Sequence, residues 1–162
     1  MDPQENKSPR LSNAILIGQL QPEHIAEIPF VSKEIVPAFI ENGFGVIEYS
    51  YPYFLGSKNQ VKITHKHIVY EAIDDSMKPS IKQGDKILGY FIGKEELESI
   101  NEGMYILIFN DQLMMRRIRE NTLSTNGTRL LYTDNDQLAP KVAFLGDISE
   151  VWNAIGSNVS VP

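Results

Sequence analysis

Short runs of β-forming residues, each closed by a turn signal, constrain this chain more than any other feature. Residues 67–73 (HIVYEAI) are rich in β-branched and aromatic side chains and stop at Asp74-Asp75-Ser76. Residues 86–92 (KILGYFI) follow a Gly84-Asp85 turn. Residues 104–109 and 113–118 flank Asn110-Asp111-Gln112, a short polar loop that predicts a β-hairpin. Residues 130–132 and 148–152 predict late strands, and the glutamate-rich stretch 94–100 predicts a short surface helix. Many short strands with turns between them mean a mainly β fold.

A chain of 162 residues has room for one domain with a real core. Its 42% hydrophobic and 22% charged residues fit a soluble globular protein. No apolar run reaches the roughly 18 residues of a membrane span, and the first residues do not read as a signal peptide. Cysteine is absent, which excludes disulfides, thiolate catalysis and cysteine-ligated zinc and makes a cytoplasmic address the expectation. The net charge of −6 gives no global attraction to phosphate backbones, which disfavours stand-alone nucleic-acid binding. Residues 1–27 read as a flexible arm or linker, with a short apolar stretch at 14–17 and a helical turn opening at Pro22. The compact domain is expected over 28–155, with a tail at 156–162.

Two places could carry chemistry. The first is Asp75-Ser76-Met77-Lys78-Pro79, a serine in a proline-bounded turn; the second is the basic pair Arg116-Arg117, forty positions later. In a strand, residues two apart share a face, so Met114, Arg116 and Ile118 lie together and Met115, Arg117 and Arg119 lie opposite. Arg116 is therefore the basic residue with apolar neighbours. Two readings stand at this level: a site built on Ser76 and Arg116, or an ordinary turn plus solvated strand charges. A serine becomes a nucleophile only beside a base. Lysine can serve when burial disfavours its charged form, but a guanidinium stays protonated.

In their order and spacing, several segments from about Ile28 to Trp152 resemble the C-terminal domain of LexA-like repressors, a group that includes lambda-type phage repressors and UmuD. Ile28-Pro29-Phe30-Val31 is similar to the opening strand of that family, and residues 70–79 (YEAIDDSMKP) to its nucleophile segment, usually Gly-Asp-Ser-Met-x-Pro. Gly84-Asp85-Lys86-Ile87 and Gly103-Met104-Tyr105-Ile106-Leu107 resemble the strands that follow. Met115-Arg116-Arg117-Ile118 resembles the usual Val-Lys-Arg-Leu/Ile. Tyr132-Thr133-Asp134-Asn135 and Ile148-Ser149-Glu150-Val151-Trp152 resemble the Ser-Asp-Asn and Ile-x-Glu-Ile-Trp segments of helix-turn-helix repressors.

The resemblance implies a LexA/signal-peptidase-like fold of twisted antiparallel sheets with one or two short helices. It puts Ser76 at the nucleophile position and Arg116 at the general-base position, with Asp75, Met77 and Pro79 lining the cleft. Three departures accompany it. Arginine stands where the family has lysine, Asp74 stands where it has glycine, and Val36-Pro37-Ala38-Phe39 lacks the Ala-Gly or Cys-Gly dipeptide at which the family cuts itself. The resemblance, so modified, implies a regulatory and dimerisation domain of a transcriptional repressor of the SOS-response kind, without protease activity. It implies a homodimer that meets DNA only through a helix-turn-helix domain, for which this chain has no room. An active self-cleaving serine endopeptidase and a UmuD-like polymerase accessory stay open as alternatives, with Lys82, Lys86 and Lys141 as substitute bases for the former.

No cofactor, metal or small-molecule ligand is indicated. His65 and His67 could share a strand face, but solvated strand histidines are the simpler expectation. Asp134, Asn135 and Asp136 read as a turn rather than a calcium loop. Trp152, Tyr105 and Phe109 read as core or dimer-interface aromatics.

Overall fold

The computed structural model describes residues 25–54, 62–120 and 122–157. The apolar stretch at 14–17 and the turn at Pro22 lie outside them, as does the end of the tail. Nine strands alternate with short helical pieces: β1 (Ile25–Val31), α1 (Val36–Asn42), β2 (Ser50–Phe54), β3 (His67–Glu71), β4 (Lys86–Ile92), β5 (Gly103–Phe109), β6 (Gln112–Ile118), the single turn α2 (Leu123–Asn126), β7 (Thr128–Leu131), β8 (Lys141–Phe144) and β9 (Ile148–Ser157). The mainly β expectation is met. β1 begins at Ile25, inside the stretch read from sequence as an arm.

Seven strands form one sheet in the order β2-β1-β3-β4-β9-β5-β6, and β7 and β8 form a separate ribbon. The sheet is mixed rather than antiparallel throughout, because β1 runs parallel to β3, with Phe30 opposite Val69 and Val31 opposite Tyr70. A parallel neighbour requires a crossover. Here the chain between them leaves through α1 and returns through β2 on the far side of β1.

The β5–β6 hairpin turns on two residues, Asn110 and Asp111, both with positive φ (47° and 58°). Such a loop matches the twist of the flanking strands, and short side chains that bond their own backbone tolerate it best. The sequence placed this hairpin correctly. It did not place the 94–100 segment: only Lys94–Glu96 forms a 3₁₀ turn, and Leu97 is buried rather than on the surface. The buried Arg129 of β7 holds this segment, donating from Nη1 to the Leu97 carbonyl at 3.1 Å.

Strand alternation divides the core. Ile106 and Ile108 of β5, Leu113 and Met115 of β6, and Trp152 of β9 pack in one apolar cluster, capped by Phe39 of α1. Tyr105, Leu107 and Phe109, with Met114, Ile118 and Val151, pack in the other, where Leu131 and Ala143 of the ribbon close it. Trp152 is fully buried and meets Phe39, Phe44 and Phe91 at ring-centroid distances of 5.8, 6.4 and 5.6 Å. Beside it Gly89 is closely enclosed. A Cβ there would lie 3.0 Å from Ile106 Cδ1 and 3.2 Å from Trp152 Cβ.

Candidate functional site

The segment after β3 is a run of turns held from several sides. The Asp74 carboxylate accepts the Ser76 N–H at 2.9 Å, the local bond that an Asp two residues before a turn position commonly makes. Asp75 accepts the Gln83 N–H at 3.0 Å and pairs with Lys78 at 2.7 Å on the exposed side. The Lys78–Pro79 peptide bond is cis. From the far end of the chain, the Asn135 N–H donates to the Ser76 carbonyl at 3.1 Å. These contacts fix both the backbone and the direction of the Ser76 side chain, which is nearly buried.

Into this frame reaches Arg116 from β6. Its Nη1 donates to Ser76 Oγ at 2.9 Å and to the Met115 carbonyl at 2.6 Å. The residue is 7% exposed. Burial lowers its pKa, opposed by the attraction of Asp74 and then of Tyr70. A guanidinium starts so high that this leaves it charged at any pH at which the protein is folded. Tyr70, packed beneath, has its own pKa pushed up by burial. The hydroxyl thus faces a permanent donor, and among the described residues it makes no bond to a proton acceptor.

Arg117 turns the other way. Its Nε and Nη2 grip both oxygens of Asp134 at 2.7 and 2.6 Å. That fork, first of all, holds the Asp134 carboxyl below the usual carboxylate range. The adjacent Arg117–Tyr132 bridge extends the edge of β6 and delivers Asn135 to Ser76. Arg117 is therefore a fastening between the hairpin and the 132–138 turn, and Arg116 is the residue that meets the serine, as alternation along β6 predicts.

An open cavity of about 420 Å³ lies against Arg116, with Val36 and Ile40 of α1, Ile73, Asp74, Leu113 and Lys141 in its walls. Of the residues expected from sequence to line the cleft, Met77 is buried in the core, Pro79 is exposed, and Asp75 faces the 83 turn. Neighbouring positions Ile73 and Asp74 take that place beside Arg116. Of the substitute bases, Lys86 bonds Glu71 and the Gly84 carbonyl, while Lys141 shares the cavity wall with Arg116 and lies over the Phe109 ring at 5.8 Å. Among the described residues the Ser76 hydroxyl is bonded by Arg116 alone.

Two contributors escaped the sequence. Asp74 was visible only as a departure from glycine, although an Asp-x-Ser spacing in a turn is itself a signal for its bond to the Ser76 N–H. Asn135 read as a turn residue in a segment resembling Ser-Asp-Asn, and no local pattern joins it to a serine 59 positions earlier. Of the histidines, His65 is solvated as expected, though in a turn, and His67 departs from expectation. His65 sits in an exposed turn, whereas His67 is buried at the start of β3, stacked edge-on against Tyr90, with the Thr64 N–H 3.0 Å from Nδ1.

A family model described as Peptidase S24-like matches residues 35–150. No curated protein matches the chain. No helix among the described residues is long and apolar enough to cross a membrane.

Proposed function

The chain belongs to the Peptidase S24-like family, and on that premise we propose that it is a regulatory domain of a transcriptional repressor, pairing protomers and performing no peptide cleavage. The observation that carries this reading is the 2.9 Å bond from Arg116 to Ser76 Oγ. Peptidase chemistry at Ser76 needs a neutral base to take the hydroxyl proton. A buried lysine can be driven to neutrality; a guanidinium cannot.

Two further features support it. An oxyanion hole needs backbone N–H groups that are free to meet developing negative charge. The N–H of Ser76 already serves the Asp74 carboxylate. The stretch where self-cleavage is expected, Val36-Pro37-Ala38-Phe39, is helical, and the Phe39 carbonyl accepts the Gly43 N–H. Peptides usually enter clefts extended, with their backbone groups available. In this reading Ser76 has become a hydrogen-bond acceptor that seats Arg116. The domain then serves a two-fold arrangement of DNA-binding modules on a symmetric operator.

The test is incubation of the purified protein at alkaline pH, followed by intact-mass measurement and sedimentation. An unchanged mass with a dimer is the expected result. Two fragments that disappear in Ser76→Ala would overturn it in favour of an active endopeptidase. A monomer that co-purifies with a polymerase subunit would favour an accessory protein.

A further inference from the structure

Arg116 carries a charge that Asp74 attracts without pairing with it directly. No carboxylate among the described residues forms an ion pair with it. Both of its hydrogen bonds leave from Nη1 and end on neutral oxygens, Ser76 Oγ and the Met115 carbonyl. Its Nε is sealed from solvent with no acceptor. A guanidinium has five N–H donors in one plane, and among the described residues Nη2 has no acceptor either. A buried cation that lacks a direct ion pair keeps part of its desolvation cost, and an arriving anion that pairs with it recovers that part.

The space for such an anion adjoins it. The cavity of about 420 Å³ brings Arg116 together with Lys141, and its walls include the aliphatic Val36, Ile40, Ile73 and Leu113. That volume falls in the range of small-molecule pockets, which pair apolar walls with a few placed polar groups. Asp74 and Asp111 share the lining. The first is committed to the Ser76 N–H, and the second stands at the tip of the β5–β6 hairpin. Nη2, which is not among the sealed atoms, is the donor left to meet a carboxylate in a charge-assisted bond.

We propose that this cavity binds the carboxylate of a small ligand with an aliphatic side chain, anchored on the guanidinium of Arg116. The inference rests on the non-catalytic reading of Ser76 and Arg116, and gives that site a ligand in place of a reaction. The arginine that cannot serve as a base is suited to serve as an anion receptor, and occupancy would join α1 to the β5–β6 hairpin.

The full chain, labelled with 15N-arginine, would be titrated with N-acetyl-leucine and separately with leucinamide, which has no carboxylate. The Arg116 Nε–H resonance, identified by its loss in Arg116→Met, is expected to shift saturably with N-acetyl-leucine and to stay still with leucinamide. Binding followed by calorimetry should weaken about tenfold to a hundredfold in Arg116→Met, the loss of charge-assisted bonds. Ile40→Trp, which fills the cavity and keeps the arginine, should abolish the shift. An unmoved resonance, equal shifts from both compounds, or undiminished binding to both variants would overturn the proposal. Intact mass measured on the same samples separates the two failures: fragments sink the non-catalytic reading, whereas an intact protein that ignores the carboxylate sinks only the ligand.

Discussion

The guanidinium of Arg116 and the hydroxyl of Ser76 meet at 2.9 Å although forty residues separate them in sequence. The pair is held from three directions: by the Asp74 bond to the Ser76 N–H, by Asn135 on the Ser76 carbonyl, and by the hairpin that carries Arg116. A rigid frame around a residue unable to do the family's chemistry separates architecture from activity. On the non-catalytic reading, the domain keeps the first without the second.

Restoring a lysine should not restore cleavage. Arg116→Lys supplies a candidate base, but the Asp74 carboxylate still holds the Ser76 N–H, and α1 still hides its carbonyls in helical bonds. The expected outcome is an intact mass after alkaline incubation of the variant, together with no labelling of Ser76 by a fluorophosphonate probe. Fragments from this single substitution would mean that the cut site lies elsewhere.

The Arg117–Asp134 fork should be worth more than an ordinary surface pair. Asp134 is only 10% exposed, and both of its oxygens are engaged. Asp134→Asn is expected to cost about 1–3 kcal/mol in urea unfolding, toward the lower end because Arg117 is partly solvated. Its pH signature follows from the lowered carboxyl. The contribution is present above the unfolded-state value of about 3.9 and is lost as pH falls through the lower folded value. The difference in unfolding midpoint between the two proteins should therefore shrink in strong acid.

Gly89→Ala should destabilise the centre of the sheet. The added methyl would press on Ile106 and Trp152 at 3.0 and 3.2 Å, in a region where both neighbours are fully buried. Overpacking of this kind costs about 1–3 kcal/mol. Gly45→Ala, where nothing lies within 4 Å of the new atom, is the matched control and should change the melting temperature little.

His67 makes stability depend on mildly acid pH. Burial lowers its pKa, so the folded protein favours the neutral ring. The stabilising effect is complete above the unfolded value of about 6.5 and disappears as pH falls through the lower folded value. Urea midpoints should fall from pH 7 toward pH 5, and His67→Gln should flatten that slope. An equal slope in both proteins would place the sensitivity elsewhere.

Runs of β-forming residues closed by turns made most of the fold legible, and the unbroken apolar run at residues 104–109 reflects two faces that both need covering. The hairpin was equally clear, since Asn and Asp are among the few residues that accept positive φ. Alternation along β6 chose Arg116 over Arg117. The parallel β1–β3 pairing was not legible, because nothing within a seven-residue strand specifies which distant neighbour it meets. Helix α1 was missed for a related reason: its burial against Trp152 is set by tertiary packing, while Val36, Pro37 and Phe39 carry no strong helical preference. Leu97 misled in the opposite sense, as one apolar residue among glutamates looks solvated until Arg129 pulls the segment inward.

Because β1 and β3 lie side by side in the sheet, the loop between them can be severed without releasing the strand. A protease nick within α1 would leave β1 laced to β2 on one edge and to β3 on the other. The two pieces would migrate as one body under native conditions and part only in denaturant. Whatever is joined to the amino-terminal side of β1 would stay tethered after such a break, so an off-switch by scission at this point would also have to peel that strand away.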